Sequence, residues 1–275
     1  MTSVVGKDIP LGKDTPYVDT YTPSLLRSID RAPARLAANV GDPLPFHGED
    51  LWTCYELSWL SAKGKPDGAV VALRVPCTSP CIVESKSLKL YLSSFAQTHF
   101  TTRAEVQSAL ESDLGIAFRA PILVTLYDVA HPASGSSQFP GRSIDHLDVE
   151  IDRYAHAPEL LAVDRGDVIT RETLYTHLFR SVCPVTAQPD CASVMVQYAG
   201  RRIDQESLLR YLVSFRTHAA FHEDTIERIF LDVRERCAPD HLTVYGRFMR
   251  RGGIDINPYR STDREPAPSI RMIRQ

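Results

Sequence analysis

The chain has 275 residues, 43% hydrophobic and 24% charged, with a formal net charge of −3. That balance describes a globular protein able to bury a core of its own, and it offers no basic footprint for gripping nucleic acid. No apolar run reaches the roughly 18–20 residues of a membrane helix, and the N-terminal MTSVVGKDIPLGKD lacks the apolar centre of a secretion signal; the expected location is the cytoplasm.

In chain order, two apolar-rich runs come first, Leu51–Trp59 and Val70–Val75, separated by the turn-forming SAKGKPDG. They read as antiparallel hairpin strands. An amphipathic helix over 83–95 follows, then a second helix over Arg103–Asp113 and a strand-like run over Pro121–Tyr127. The segment His131–Asp145 (HPASGSSQFPGRSID) is rich in Ser, Gly and Pro and reads as a linker or loop. Beyond it the order recurs. A strand is expected over Ser193–Tyr198 with a turn at Ala199-Gly200, and a helix over 203–215. A further helix over His222–Arg236 has Thr225, Ile226, Ile229, Phe230 and Val233 at helical spacing, and a strand covers Leu242–Phe248. The tail from Arg260 to Gln275 has no core pattern and is expected to be partly mobile.

The recurrence is visible residue by residue. Set against each other, VESKSLKLYLSSF (83–95) and IDQESLLRYLVSF (203–215) share Ser87/Ser207, Leu88/Leu208, Tyr91/Tyr211, Leu92/Leu212, Ser94/Ser214 and Phe95/Phe215. Val83/Ile203 and Glu84/Asp204 are chemically alike, and a histidine follows each copy, His99 and His218, one residue out of register. An internal repeat with matching flanks implies two tandem α+β domains of similar fold, with a boundary near 135: residues 1–135 and 136–275.

Six cysteines are present, Cys54, Cys77, Cys81, Cys183, Cys191 and Cys237. Their spacings match no zinc ribbon or finger, and the chain is large enough to need no disulfide framework. Most are expected to be reduced, buried and inert.

Four stretches carry candidate chemistry. Glu84-Ser85-Lys86-Ser87 stands at a strand-to-helix transition. There it either binds a purine-like edge and a phosphate or simply caps the helix. Phe221-His222-Glu223 either stacks on and hydrogen-bonds a planar heterocycle or is an ordinary helix start with acids at the positive dipole end. Arg250-Arg251-Gly252-Gly253 is either an anion site, with glycines letting backbone approach, or a solvated basic turn. Finally, SVCPVTAQPD (181–190) holds Cys183 and Asp190 on a proline-stiffened stretch. Cys183 is either a nucleophile with Asp190 as its acid or a thiol on a surface turn.

Together, ESKSLKLY (84–91), Cys183-Pro184-Val185-Thr186 with Gln188-Pro189-Asp190, Phe221-His222-Glu223 and Arg250-Arg251-Gly252-Gly253 resemble the NADPH-dependent 7-cyano-7-deazaguanine reductases, the nitrile reductases of the queuosine pathway, in their long two-module form. The likeness extends to Leu11-Gly12-Lys13, Tyr55-Glu56-Leu57-Ser58-Trp59 and Asp255-Ile256-Asn257-Pro258. It implies two tandem tunnelling-fold (T-fold) modules, related to that of GTP cyclohydrolase, with antiparallel sheets backed by helices. The first would carry the ESKSLKLY string and the second the reactive Cys/Asp pair, and the implied assembly is a homodimer. By the same resemblance Cys183 is the nucleophile, Asp190 the proton donor, and His222 a catalytic group orienting the reacting atoms. Val83, Glu84, Ser85, Phe221, His222 and Glu223 bind the substrate 7-cyano-7-deazaguanine, and Ser85, Lys86, Arg251 and Gly252 hold NADPH. No metal, nucleic acid or membrane is implied. Where an aromatic residue often follows the acid, this chain has Cys191, which either pairs oxidatively with Cys183 or begins a buried strand. The competing readings are a purine- or pterin-handling hydrolase of the same fold and a module that binds a purine without turning it over.

Overall fold

The computed structural model describes residues 18–130, 137–166 and 168–275; the Leu11-Gly12-Lys13 motif lies outside them. In chain order the elements are β1 (Ser28–Asp30), α1 (Ala32–Ala37), β2 (His47–Leu60), β3 (Pro66–Pro76), β4 (Cys81–Val83), α2 (Ser85–Ser93), α3 (Arg103–Phe118) and β5 (Leu123–Asp128). They continue with β6 (Arg142–Ser143), β7 (Ile169–Val182), β8 (Pro189–Arg201), α4 (Gln205–Val213), α5 (His222–Cys237), β9 (His241–Phe248) and β10 (Ile254–Ser261). The protein is α+β, with mostly antiparallel strands and few helices. No helix among the described residues is long and apolar enough to cross a membrane.

The chain folds into two compact units. Among the described residues, the first comprises 18–37, 50–130 and 250–256, and the second 38–49, 137–166, 168–249 and 257–275.

In the first unit β3 lies between β5 and β2. Residues 50, 52 and 54 of β2 point inward, after which the alternation slips by one and Leu57 and Trp59 take over the inner face. α2 and α3 cover that face with Leu88, Tyr91, Phe95, Val106, Leu110 and Phe118, all buried. Apolar groups at alternating strand positions facing helical stripes make this a single core.

The second unit repeats the plan in the order β10–β9–β8–β7–β6, antiparallel except for the short parallel β6–β7 pair. In β7 the register slips between Thr176 and Phe179, a bulge that matches the slip in β2. Correspondence reaches individual hydrogen bonds. Glu84 caps α2 and Asp204 caps α4. The Thr22 amide donates to Ser94 Oγ as the Ala157 amide does to Ser214 Oγ, and the Arg27 and Ala162 amides donate to Ser87 and Ser207. An aspartate, half-buried in the first unit and buried in the second, accepts from the repeat tyrosine in each: Tyr91 to Asp113 and Tyr211 to Asp232, both at 2.6 Å. The third partner differs, being the Tyr21 hydroxyl in the first unit and His156 Nε2 in the second.

Several expectations are corrected by this frame. The hairpin of the second repeat consists of β7 and β8 with its turn at 183–188, so Ala199-Gly200 lies within β8. β7 was not anticipated, because ITRETLYTHLFRSV interleaves charged and polar residues with the apolar ones and its alternation breaks at the bulge. His99 and His218 are one residue out of register, as expected from the sequence. The Leu60 amide donates to Thr98 O and the Val182 amide to His218 O, which pairs His218 with Thr98. The described part of the expected linker, 137–145, is packed, with Phe139 and Ile144 buried and Arg142–Ser143 forming β6. The tail is docked as well: Arg260, Ala267, Met272 and Gln275 are buried and the Tyr245 hydroxyl donates to Pro268 O.

His218 sits among His156 and Phe215 rings at 5.5 and 5.0 Å. Burial, assisted by the neighbouring His156, pushes its imidazole down to about 4 from the ordinary 6.5. The unfolded chain therefore takes up this proton near 6.5 while the folded chain resists it. The stability His218 provides is complete above that pH and is lost as pH falls from 6.5 towards 4. Replacing His218 with threonine, the residue of the first repeat, is expected to flatten the decline of the thermal midpoint over that window; an unaltered slope in thermal unfolding would refute this.

Candidate active site

The motif SVCPVTAQPD forms the tip of the β7–β8 hairpin. Val182 is the last residue of β7 and Pro189 the first of β8, and the two are cross-strand partners. Between them the Cys183 amide donates to Gln188 O and the Ala187 amide to Cys183 O, which closes the turn. Proline at 184 and 189 limits the backbone on both sides. The thiol of Cys183 is half-buried. Four other thiols, Cys54, Cys77, Cys81 and Cys237, are buried, and burial pushes Cys81 and Cys237 up to about 11 and Cys54 further still, which makes these three poor nucleophiles. Cys191 stands opposite Arg180, three residues before Cys183. At about 3.3 Å per strand residue the two cysteines are separated by ~10 Å, beyond the ~7 Å that a disulfide spans. The alternative of an oxidative Cys183–Cys191 pair therefore falls. Cys191 is simply the third residue of β8, half-buried on the face opposite Asp190.

Asp190 faces inward, 4% exposed, across from Ser181, whose hydroxyl is buried with no hydrogen-bond partner. His222 opens α5, and its Nε2 lies 3.4 Å from Asp190 Oδ2. The helix starts here because Phe221 takes an extended N-cap conformation, while Glu223 and Asp224 place negative charge in the first turn, where the dipole favours it. Gly246 lets α5 approach β9, since a Cβ there would stand 2.6 Å from the Ile226 side chain. On the far side of the imidazole, Phe248 stacks with ring centroids 3.9 Å apart. Glu223 is buried and Phe221 half-buried at the same helix end. The second unit thus places Asp190 against His222, with Phe221 and Glu223 flanking His222 in the chain, and Cys183 two residues beyond Ser181, the cross-strand partner of Asp190. Phe248 and Ser181 were missed from sequence, because each looks like an ordinary strand residue until the strands are paired.

The first unit holds the other predicted residues. Glu84 is 2% exposed and caps α2, accepting from the Lys86 and Ser87 amides at 2.8 and 2.7 Å. Burial raises its pKa against those amide bonds and the Lys86 charge. Val83 is buried in the core, paired with Ser28 on β1, so a ligand would meet its backbone and not its side chain. Arg250-Arg251-Gly252-Gly253 is a tight turn in which the Arg251 amide and Ile254 carbonyl bond to each other. Gly252 adopts a left-handed φ of +58°, and a Cβ there would stand 3.3 Å from Lys89 Cδ and Nζ. Arg250 is not simply solvated, because its guanidinium lies over the Tyr55 ring at 4.8 Å. Turn and helix α2 therefore meet, with cations from both around a glycine that leaves the backbone open. No group of three or more His, Cys, Asp or Glu side chains among the described residues is placed to hold a metal ion.

A duplicated α+β protein in which a hairpin thiol stands near a buried carboxylate–imidazole pair has the equipment of a thiol-dependent enzyme. The family model described as "Nitrile reductase, 7-cyano-7-deazaguanine-reductase N-term" matches residues 17–126, and that described as "QueF-like protein" matches 189–267. An NADPH-dependent 7-cyano-7-deazaguanine reductase of Desulfotalea psychrophila is 47% identical over the whole of both chains. Its counterpart in Dechloromonas aromatica is 50% identical over 97% of this chain and 95% of its own, and that of Burkholderia thailandensis 48% over 97% and 98%. The chain belongs to the 7-cyano-7-deazaguanine reductase family.

Proposed function

We propose that this chain reduces the nitrile of 7-cyano-7-deazaguanine to the aminomethyl group of 7-aminomethyl-7-deazaguanine with two NADPH, a step of queuosine biosynthesis. The observation that carries the reading is full-length identity of about half to reductases of that name, in a chain that keeps the thiol, carboxylate and imidazole on one hairpin and its packed helix.

Cys183 adds through sulfur to the nitrile carbon while Asp190 gives a proton to the nitrile nitrogen. A C–S bond forms, one C–N π bond breaks, and the product is a thioimidate. An unactivated nitrile is a poor hydride acceptor, whereas a protonated C=N bearing sulfur is a good one. NADPH, when bound, would supply the two hydrides that the carbon needs. Between them the C–S bond breaks and Cys183 departs as thiolate, leaving the imine; one further proton on nitrogen completes the amine, and a second from solvent restores Asp190. His222 orients Asp190 through the Nε2 contact and passes protons to it. Glu84 and Glu223 accept from the donor-rich edge of the deazaguanine, Phe221 packs on its face, and Val83 and Ser85 line it. Ser85, Lys86, Arg251 and Gly252 hold NADPH. The fit is supported by the Lys89 ammonium standing beside Gly252, whose backbone is unshielded by a Cβ and which follows Arg250 and Arg251 in the chain, the chemistry a phosphate requires.

The repeated caps, bulges and hydrogen bonds support two tandem T-fold modules, residues 1–135 and 136–275; a cytoplasmic homodimer completes the reading. Following NADPH absorbance with limiting nitrile tests the function. Two NADPH oxidised per nitrile is the expected stoichiometry, and one per nitrile, or none, overturns the proposal.

A further inference from the structure

The stack on His222 does more than fill space. An imidazole carries both nitrogens in its ring plane, so whatever fixes that plane fixes where both point. Phe248 lies parallel to the ring within 10°, at 3.9 Å, closer than the ~4.5–7 Å usual for aromatic pairs. In this orientation Nε2 faces Asp190 and Nδ1 is buried with no hydrogen-bond partner. Phe248 is itself fully buried, and both of its backbone polar groups are held by side chains. Its amide donates to Asn257 Oδ1 at 3.1 Å, and its carbonyl accepts from Gln275 Nε2 at 3.0 Å. The same Gln275 nitrogen donates to Asn257 Oδ1 at 2.7 Å, and Gln275 Oε1 accepts from Arg247 Nε and the Met272 amide at 2.9 and 3.1 Å. A single amide side chain in the docked tail thus gathers Arg247, Phe248 and Asn257 at the point where β9 ends.

We propose that Phe248 is a positioning residue for His222, and that Gln275 acts through Phe248 by holding its backbone in register. The proposal rests on the reading of His222 as the group that orients Asp190. Without the stacked ring the imidazole is free to rotate about its side-chain bonds, and Nε2 leaves Asp190. Loss of alignment of this kind slows the chemical step while leaving ligand binding nearly intact.

The test is steady-state kinetics of the full chain for Phe248→Met, Phe248→Tyr, Gln275→Ala and His222→Asn. Each rate is normalised to the fraction of chain that forms the thiol adduct with the nitrile by intact mass, so that misfolded protein is not counted. Phe248→Met, which keeps bulk but removes the ring, is expected to lower kcat about tenfold or more with KM for nitrile and NADPH within about threefold. Phe248→Tyr restores the ring and recovers most of the rate. Gln275→Ala lowers kcat in the same direction, by about threefold. A Phe248→Met rate per adduct-forming site equal to wild type, beside a slow His222→Asn, overturns the positioning role and leaves the reading of His222 standing. An unimpaired His222→Asn overturns that reading and the proposal with it.

Discussion

Replacing Cys183 with alanine is expected to lower turnover roughly a thousandfold or more, because on the proposed route its sulfur forms the covalent intermediate that divides the reduction into two accessible steps. With the nitrile and no NADPH, the wild-type chain should gain the mass of one substrate, and Cys183→Ala should gain none. The other cysteines are poor substitutes. Cys54, Cys81 and Cys237 are buried with raised pKa, and Cys191 stands across from Arg180 on the opposite strand face. Asp190→Asn separates the two roles. It keeps the shape of the side chain, keeps Cys183 in place, and removes the proton donor, so adduct formation and turnover should both slow by about a hundredfold or more. Steady NADPH oxidation by Cys183→Ala, with the nitrile consumed, would falsify the thioimidate route, and an unchanged Asp190→Asn rate would assign the proton to another group.

Why the thiol and its acid are found in the second repeat alone is clear once the two are matched through their hydrogen bonds. Leu60 corresponds to Val182, so Ser61 occupies the position of Cys183. Thr102 and Phe221 are both N-caps, which sets Arg103 and Ala104 where the second repeat has His222 and Glu223. Conversely Glu84-Ser85-Lys86 faces Asp204-Gln205-Glu206, which caps its helix equally well but offers acids where the first repeat offers a cation. The two repeats therefore share a plan but differ in the reactive side chains they carry at matching positions. The helices of this plan are legible in sequence, because their caps and 3.6-residue stripes are local. β7 is not, since its bulge breaks the two-residue alternation and its inner face includes Thr176 and Ser181. The nucleophile and acid are legible as a motif, but the Asp190–His222 contact and the Phe248 stack depend on residues 32 and 26 positions apart brought together by strand pairing and helix packing. The docked tail is missed for the same reason: its anchors are Arg260 and Gln275, polar residues that no hydrophobic pattern announces.

Arg260 carries the largest expected effect on stability. Its side chain is 0% exposed and its guanidinium donates to Glu227 Oε1 from Nε and Nη2 at 3.1 and 2.9 Å, and to the Glu49 and Tyr259 carbonyls from Nη1. It also lies over the Phe46 ring. Glu227 stands on α5, five residues after His222, so this pair fastens the helix that presents the imidazole to β10. Glu227→Ala leaves the guanidinium charged, buried and short of its counter-ion, which costs about 3–5 kcal/mol, most of it the desolvation no longer offset by the partner. At about 2–4 °C per kcal/mol for a unit of this size, the thermal midpoint should fall by ~10 °C. Removing both charges, as in the double variant Glu227→Leu with Arg260→Met, should be far milder, since packed apolar groups replace a pair whose Coulomb gain little exceeds its desolvation. The same comparison separates anchoring from chemistry. Below its unfolding midpoint the double variant should keep most of its turnover, because α5 still packs on β9 through Ile226 and Gly246. A double variant as unstable as Glu227→Ala would show that the guanidinium's bonds to the Glu49 and Tyr259 carbonyls, and not the ion pair to α5, carry the stability.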